Sequence, residues 1–102
     1  MTDYIQALRL ADLTPGEITP IRLRGYDLAF YLVDGQAYCT EDLCTHEDNL
    51  LSEGGFLNGD EVECAHGARF NVKTGRVTRF PASASIPSFP TEMREGYVNV
   101  AL

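Results

Sequence analysis

The sequence YDLAFYLVDGQAYCT, residues 26–40, carries the strongest secondary-structure signal in this chain. Tyr26–Val33 is an almost continuous apolar run, and the dipeptide Asp34-Gly35 that follows it favours a tight hairpin turn. Residues 36–40 then resume an extended pattern. The stretch therefore predicts two antiparallel strands joined by a short turn.

Similar short runs, separated by turn signals, continue the pattern toward both ends of the chain. Further turn dipeptides occur at Asn58-Gly59, Thr74-Gly75 and Glu95-Gly96. The other predicted strands are Tyr4–Arg9, residues 18–24, Glu61–Glu63, residues 69–73, residues 76–80 and Tyr97–Ala101. Residues 43–56 and 81–90 show no strand pattern, and no segment favours a long helix. The sequence predicts an all-β fold, an antiparallel sandwich or barrel of short strands.

Length and charge restrict the function further. With 102 residues, 44% of them hydrophobic, the chain predicts one domain spanning residues 1–102, which we expect to be a monomer. Its formal net charge is −7, which argues against nucleic acid and anionic membranes as partners. No apolar run approaches the roughly 20 residues of a membrane span. Three cysteines and no secretion-signal pattern favour a reducing cytoplasm over a disulfide framework.

Both histidines of the chain lie two residues after a cysteine, in Cys44-Thr45-His46 and Cys64-Ala65-His66. Two thiolates and two imidazoles are enough to supply all the protein ligands of a metal centre. Structural zinc and a Rieske iron–sulfur cluster both use this set. The pairs predict one shared site, held by two loops at about residues 40–56 and 62–70.

These motifs resemble the Rieske [2Fe–2S] proteins, and in particular the small Rieske ferredoxins of bacterial aromatic-ring dioxygenase systems. The resemblance consists of Cys44-Thr45-His46, a gap of seventeen residues, and Cys64 and His66 followed by the segment GARFNVKTG, residues 67–75. It implies a Rieske fold with a small cluster-binding subdomain and one [2Fe–2S] cluster. Cys44 and Cys64 would hold the inner iron, and His46 and His66 would hold the outer one.

The spacing of the second motif differs from that family. Its members normally have Cys-x-x-His with a proline after the cysteine, whereas this chain has Cys64-Ala65-His66. Residues 53–56 are in turn one residue longer than usual. We expect the loop backbone to adjust so that both ligands still reach the cluster.

Three other features allow alternative interpretations. Cys39 is either a small buried residue or a substitute ligand, because it precedes Cys44 by five residues. The proline-rich segment at about residues 80–90 is either a surface crossover or a rigid loop that covers the site. Glu47 and Asp48 are either simply solvated or help steer a basic partner surface.

The resemblance also implies a function. The chain would be a soluble one-electron carrier, not an enzyme, between a flavin-dependent ferredoxin reductase and a terminal oxygenase that hydroxylates aromatic or similar hydrophobic compounds. High-potential Rieske proteins have an extra disulfide between the loops, and a Ser and a Tyr that bond to sulfur. Without these features we expect a potential near the low end of the Rieske range. The alternatives are a Rieske-like small subunit of a nitrite-type reductase and a structural zinc module.

Overall fold

The computed structural model describes residues 3–45, 49–80, 82 and 84–102, and the regular secondary structure of this part of the chain is almost entirely β-strand. Its strands are β1 (Tyr4–Arg9), β2 (Thr19–Leu23), β3 (Tyr26–Val33), β4 (Gln36–Glu41), β5 (Phe56–Asn58), β6 (Glu61–Glu63), β7 (Arg69–Asn71), β8 (Val77–Arg79), β9 (Ser88–Phe89), β10 (Thr91–Arg94) and β11 (Tyr97–Ala101). A 3₁₀ turn, Leu10–Asp12, follows β1. In the described residues there is no helix with the length and hydropathy of a membrane span.

The described strands form three antiparallel sheets. The central sheet has the order β2-β3-β4-β9, and a second sheet has the order β1-β11-β10. A third sheet, β5-β6-β7-β8, is a meander of short strands and forms the small subdomain. Hairpin connections therefore account for most of the strand pairing, as the turn dipeptides predict.

Strand β3 is buried on both faces, which explains its continuous apolar sequence. Leu28 and Phe30 belong to a core shared with the β1-β11-β10 sheet, which supplies Val98 and Val100. The alternate residues Ala29, Tyr31 and Val33 belong to a second core, which contains residues of the small sheet. Because successive side chains point to opposite faces, one strand separates the two cores.

The second core places the small sheet against the central one. Val62 and Phe70 of the small sheet are fully buried there, together with Leu51 from the long loop after β4. Cys44 and Cys64 belong to the same buried cluster. The two loops that carry the Cys/His pairs therefore lie on the face of the central sheet opposite the β1-β11-β10 sheet.

The all-β prediction is confirmed, and the bounds of β1, β3, β6 and β11 are those predicted. The predicted absence of a strand in residues 81–90 is wrong at Ser88–Phe89, which pair with Thr40 and Cys39. This strand has two residues and depends on pairing with a distant part of the chain, so it has no local pattern. Strands β5 and β10 were likewise not predicted; β10 pairs with β11.

Replacing Tyr31 tests the second core. The Tyr31 hydroxyl lies 2.9 Å from Thr40 Oγ1 in a buried position, and Thr40 donates its own proton to the carbonyl of Glu41. Tyr31→Phe should therefore lower the free energy of unfolding by about 1 kcal/mol at neutral pH, measured by urea denaturation. Tyr26→Phe, at an exposed position, is the control and should change it little.

The same variant has a pH signature. Burial raises the pKa of Tyr31 well above its ordinary value of 10.0. The folded state then holds a proton that the unfolded state releases, so stability is fully present below about pH 10 and falls as the pH rises further. Tyr31→Phe should show a shallower alkaline decline than the wild type. An unchanged slope would contradict burial of the hydroxyl.

Candidate metal centre

The first Cys/His loop leaves the central sheet at the end of β4. Cys44 is 1% exposed, and its backbone N–H donates to the carbonyl of Asn49 at 2.9 Å. This hydrogen bond joins Cys44 to Asn49, on either side of the segment that contains the predicted ligand His46. His46, Glu47 and Asp48 lie outside the described residues, so the predictions made for them remain predictions.

A buried carboxylate holds the base of this loop. Asp42 is 1% exposed and accepts hydrogen bonds from the backbone N–H of Ser52 at 2.8 Å and from its hydroxyl at 2.5 Å. The backbone N–H of Asp42 donates to the carbonyl of Asp27 on β3. The loop is therefore anchored to the central sheet at its start and tied to its own return segment.

The second Cys/His loop is a tight hairpin between β6 and β7. The N–H of Cys64 donates to the carbonyl of Ala68 at 2.8 Å, and the N–H of Gly67 donates to the carbonyl of Cys64 at 2.9 Å. Ala65, His66 and Gly67 thus form a three-residue loop. Gly67 has a φ of 92°, the left-handed conformation that such loops require at their last residue.

This loop explains how the shortened motif is accommodated. Cys64 occupies the closing pair of the hairpin and is 2% exposed, whereas His66 lies at the tip and is exposed. One residue of spacing therefore separates a buried thiol from an imidazole at the surface. The tight turn takes the place of a longer loop.

The proline-rich segment packs against both Cys/His loops. Thr45, next to Cys44, donates its hydroxyl proton to the carbonyl of Ala84 at 2.6 Å. Ala82 and Ile86 are buried in the same cluster as Cys44 and Cys64. These contacts favour the covering-loop interpretation of residues 80–90 over a free surface crossover.

A glycine allows the proline-rich segment to approach the small sheet. The N–H of Ile86 donates to the carbonyl of Gly75 at 2.8 Å, and Gly75 has a φ of 77°. A β-carbon at Gly75 would overlap the carbonyl oxygen of Ile86. The Thr74-Gly75 turn thus fixes the covering segment as well as the hairpin.

Cys39 lies away from the other two thiols. It is 1% exposed but belongs to the core on the opposite face of the central sheet, where it is paired with Phe30 and Phe89. Burial raises the pKa of the Cys39 thiol well above its ordinary value. These features favour a structural residue over a substitute ligand.

The donor set of the two loops fits a two-iron centre. The thiols of Cys44 and Cys64 are buried in the same hydrophobic core, and the imidazole of His66 is exposed. This arrangement matches an iron–sulfur cluster whose cysteine-bound iron is inside and whose imidazole-bound iron is near the surface. Across the described residues, no three Cys, His, Asp or Glu side chains converge as ligands for a single ion. A Rieske cluster does not require such convergence, because each iron takes two protein ligands.

An ion pair stabilises the small sheet next to the second loop. Glu63, immediately before Cys64, lies 2.6 Å from Arg69 and 4.0 Å from Arg79. The side chains of Glu63 and Arg69 are 18% and 33% exposed, so solvent screens this pair only partly. The pair holds β6 and β7 in register where they lead into the turn at residues 64–68.

Comparison with known proteins agrees with this geometry. A sequence profile of the Rieske [2Fe-2S] domain matches residues 3–90. The ferredoxin component of the naphthalene 1,2-dioxygenase system of Pseudomonas putida is 35% identical over 97% of this chain and 95% of its own length. The ferredoxin CarAc of Metapseudomonas resinovorans is 41% identical over 96% of this chain and 92% of its own.

Solved structures show the same relationship. A ferredoxin of Sphingomonas yanoikuyae B1 superposes with a TM-score of 0.91 at 29% identity, covering 98% of this chain and 99% of that one. The complex of reduced oxygenase and oxidised ferredoxin in carbazole 1,9a-dioxygenase contains a chain that matches at a TM-score of 0.88 and 41% identity, over 96% and 92% of the two chains.

The chain therefore belongs to the Rieske [2Fe-2S] domain family, and its cofactor is one Rieske [2Fe-2S] cluster. Within that family it is a ferredoxin, an electron carrier rather than a catalytic subunit. The predicted fold, cofactor and non-enzymatic role are thereby confirmed. The zinc-module and nitrite-reductase alternatives are not supported by these relatives.

Three residues that shape the site were not identified as site residues from the sequence: Asp42, Ser52 and Arg69. The acid Asp42 gave one weak signal, because it lies next to an apolar strand and two residues before a predicted ligand. Its partner Ser52 is ten residues away, across a loop that has no strand or helix pattern. Pairing across such a loop follows from the tertiary fold and has no local signature.

Removing the Asp42 carboxylate should loosen the first loop. Asp42→Ala deletes both acceptors of Ser52, and we expect the free energy of unfolding to fall by roughly 2–3 kcal/mol in urea denaturation, with faster loss of visible absorption. Asp12→Ala is the control, because its ion pair with Arg9 is exposed and spans 3.7 Å; it should cost about 0–1 kcal/mol. Equal losses in the two variants would contradict the anchoring role.

Proposed function

We propose that this ferredoxin accepts single electrons from a flavin-dependent ferredoxin reductase and delivers them to a terminal Rieske non-haem iron oxygenase. That oxygenase hydroxylates an aromatic or similar hydrophobic compound, which the carrier itself never contacts. We further propose that the carrier is one domain over residues 1–102, acts as a monomer and works in the cytoplasm. The names of its relatives, ferredoxin components of naphthalene, p-cumate and biphenyl dioxygenase systems, support this role.

One observation carries the proposal: a tight turn that buries Cys64 and exposes His66. A carrier must shield its redox centre from water and still let a partner approach it closely. The buried side chains of Cys44 and Cys64 meet the first requirement, and an imidazole at the tip of a hairpin meets the second. This arrangement supports transfer through the His66 end of the molecule.

We propose Cys44 and Cys64 as ligands of the inner iron, and His46 and His66 as ligands of the outer iron. When bound, the cluster supplies a reversible one-electron couple at these four residues. Thr45 ties the first loop to the proline-rich segment, and Gly67 permits the second turn. Their role is to hold the ligand side chains in place and to keep water from the sulfur atoms.

The three buried cysteines allow a matched test of this assignment. Cys44→Ser and Cys64→Ser should abolish the red-brown colour and reduce bound iron and sulfide to background. Cys39→Ala should retain both, because its thiol faces the other core. Iron and sulfide analysis of the purified proteins measures the outcome. Loss of the cluster from Cys39→Ala, with retention in Cys64→Ser, would reverse the assignment.

The surroundings of the site support a low potential. Hydrogen bonds to cluster sulfur stabilise the reduced state, and the residues that follow His66 are Gly67 and Ala68, which offer no hydroxyl. Tyr31 is buried in the same hydrophobic core as Cys44 and Cys64. Its hydroxyl donates a hydrogen bond to Thr40, because the single hydroxyl proton of Thr40 is used in the hydrogen bond to the carbonyl of Glu41. The hydroxyl proton of Tyr31 is therefore not available for a hydrogen bond to cluster sulfur.

We expect a midpoint potential of about −150 mV, the low end of the Rieske range. A redox titration followed by visible absorption measures it. Tyr31→Phe provides the control for the argument about hydroxyl protons and should leave the potential unchanged. A strongly positive midpoint would contradict the proposal, as would a clear shift in Tyr31→Phe.

The end of the small sheet next to the second loop has the composition of a protein-contact surface. Phe56, Glu63, Arg69 and Arg79 form one row across β5 to β8, directly beside the ligand turn. Phe56 is 50% exposed and Phe80, which follows this row, is 80% exposed. Exposed aromatic and arginine side chains are enriched in interfaces. We propose that the terminal oxygenase contacts this row and the adjoining Phe80.

Electron transfer to an oxygenase tests this function. The probe is the oxygenase component of carbazole 1,9a-dioxygenase, the partner seen with the 41% identical ferredoxin. Reduced protein should be oxidised by it in stopped-flow mixing, and Phe80→Ser should lower the second-order rate constant roughly tenfold. Tyr4→Ser, at a 48% exposed position in the β1-β11-β10 sheet, should leave this rate constant unchanged. Absence of transfer by intact wild type would contradict the role, whereas equal rates in the two variants would contradict only the contact surface.

A further inference from the structure

The two loops that carry the Cys/His pairs touch each other at Gly54 and Ala65. Gly54 lies in the long first loop, and Ala65 separates the two ligands of the second. A β-carbon built on Gly54 would lie 3.1 Å from the β-carbon of Ala65, which is closer than nine in ten real β-carbon contacts. Gly54 also has a φ of 82°. The backbone of the first loop therefore lies directly against the ligand turn.

The next residue fixes the position of this contact. A β-carbon on Gly55 would overlap the carbonyl oxygen of Leu51 and would lie 2.8 Å from the carbonyl oxygen of Glu63. Leu51 is fully buried in the core that contains Cys44 and Cys64, and Glu63 is the last residue before Cys64. The pair Gly54-Gly55 is thus packed between the core and the beginning of the second ligand turn.

The two departures in spacing meet at this contact. The resemblance to the Rieske ferredoxins implies that residues 53–56 are one residue longer than usual and that residues 64–66 are one residue shorter. Gly54 belongs to the longer segment, Ala65 belongs to the shorter one, and they are neighbours in space. The longer segment of the first loop therefore lies beside the shortened turn of the second loop.

We propose that Gly54 and Gly55 are positioning residues, which support the Ala65–His66 turn and thereby set where the His66 imidazole meets its iron. This inference rests on the proposed role of His66 as a ligand. Neither glycine has a side chain that could bind iron. They act through the turn, because a side chain at residue 54 would push Ala65 and the neighbouring imidazole outward.

A double-mutant cycle separates this role from simple backbone strain. Gly54→Ala should change the EPR g values and the midpoint potential of the reduced protein, and should accelerate cluster loss to an iron chelator roughly tenfold. Adding Ala65→Gly removes the other β-carbon and should restore the g values and the potential. Gly16→Ala is the matched control: Gly16 has a φ of 85° and nothing within 4 Å of its built β-carbon, so this variant should lower stability without changing the spectrum.

A second variant covers the case in which Gly54→Ala does not fold. Ala65→Val adds bulk on the opposite side of the same contact, at an exposed position where such a change is normally close to neutral for stability. It should shift the g values and potential in the same sense as Gly54→Ala.

The outcomes are distinct. Wild-type spectra in Gly54→Ala and Ala65→Val, or no restoration by Ala65→Gly, would overturn the inference. Wild-type protein without histidine nitrogen coupling in pulsed EPR would instead overturn the ligand assignment on which it rests.

Discussion

Burial of β3 on both faces is the constraint on which the rest of the structure depends. One face contributes Leu28 and Phe30 to the core under the β1-β11-β10 sheet, and the other contributes Ala29 and Tyr31 to the core under the ligand loops. Burying large apolar side chains contributes about 1.5–3 kcal/mol each, so two cores on one strand couple the frame to the site. The Cys/His loops are attached to the most deeply buried part of the molecule.

The sequence predicts what local signals specify. The hairpin of β3 and β4 follows from an apolar run and Asp34-Gly35, and the proposed ligands come from two Cys-x-His pairs. Strand β9 could not be predicted, because two residues gain their conformation only from pairing with β4. The bond of Asp42 to Ser52 was hidden for the same reason: it joins residues that only the fold brings together.

The short spacing of Cys64-Ala65-His66 has a simple structural explanation. A three-residue turn with Gly67 in the left-handed conformation needs fewer residues than a longer loop, and it still separates a buried thiol from an exposed imidazole. The shortened motif is therefore compatible with the donor set of a Rieske cluster. We propose that its position also depends on the packing of the first loop against it, where Gly54 adjoins Ala65.

The central proposal is that two imidazoles, from His46 and His66, share the outer iron of this ferredoxin. Pulsed EPR of the reduced protein tests it most directly, because nitrogen bound to the paramagnetic cluster gives strong hyperfine couplings. We expect two coupled imidazole nitrogens in the wild type. A spectrum with one coupled nitrogen, or with none, would show that the outer iron is not bound by two imidazoles and would contradict the account.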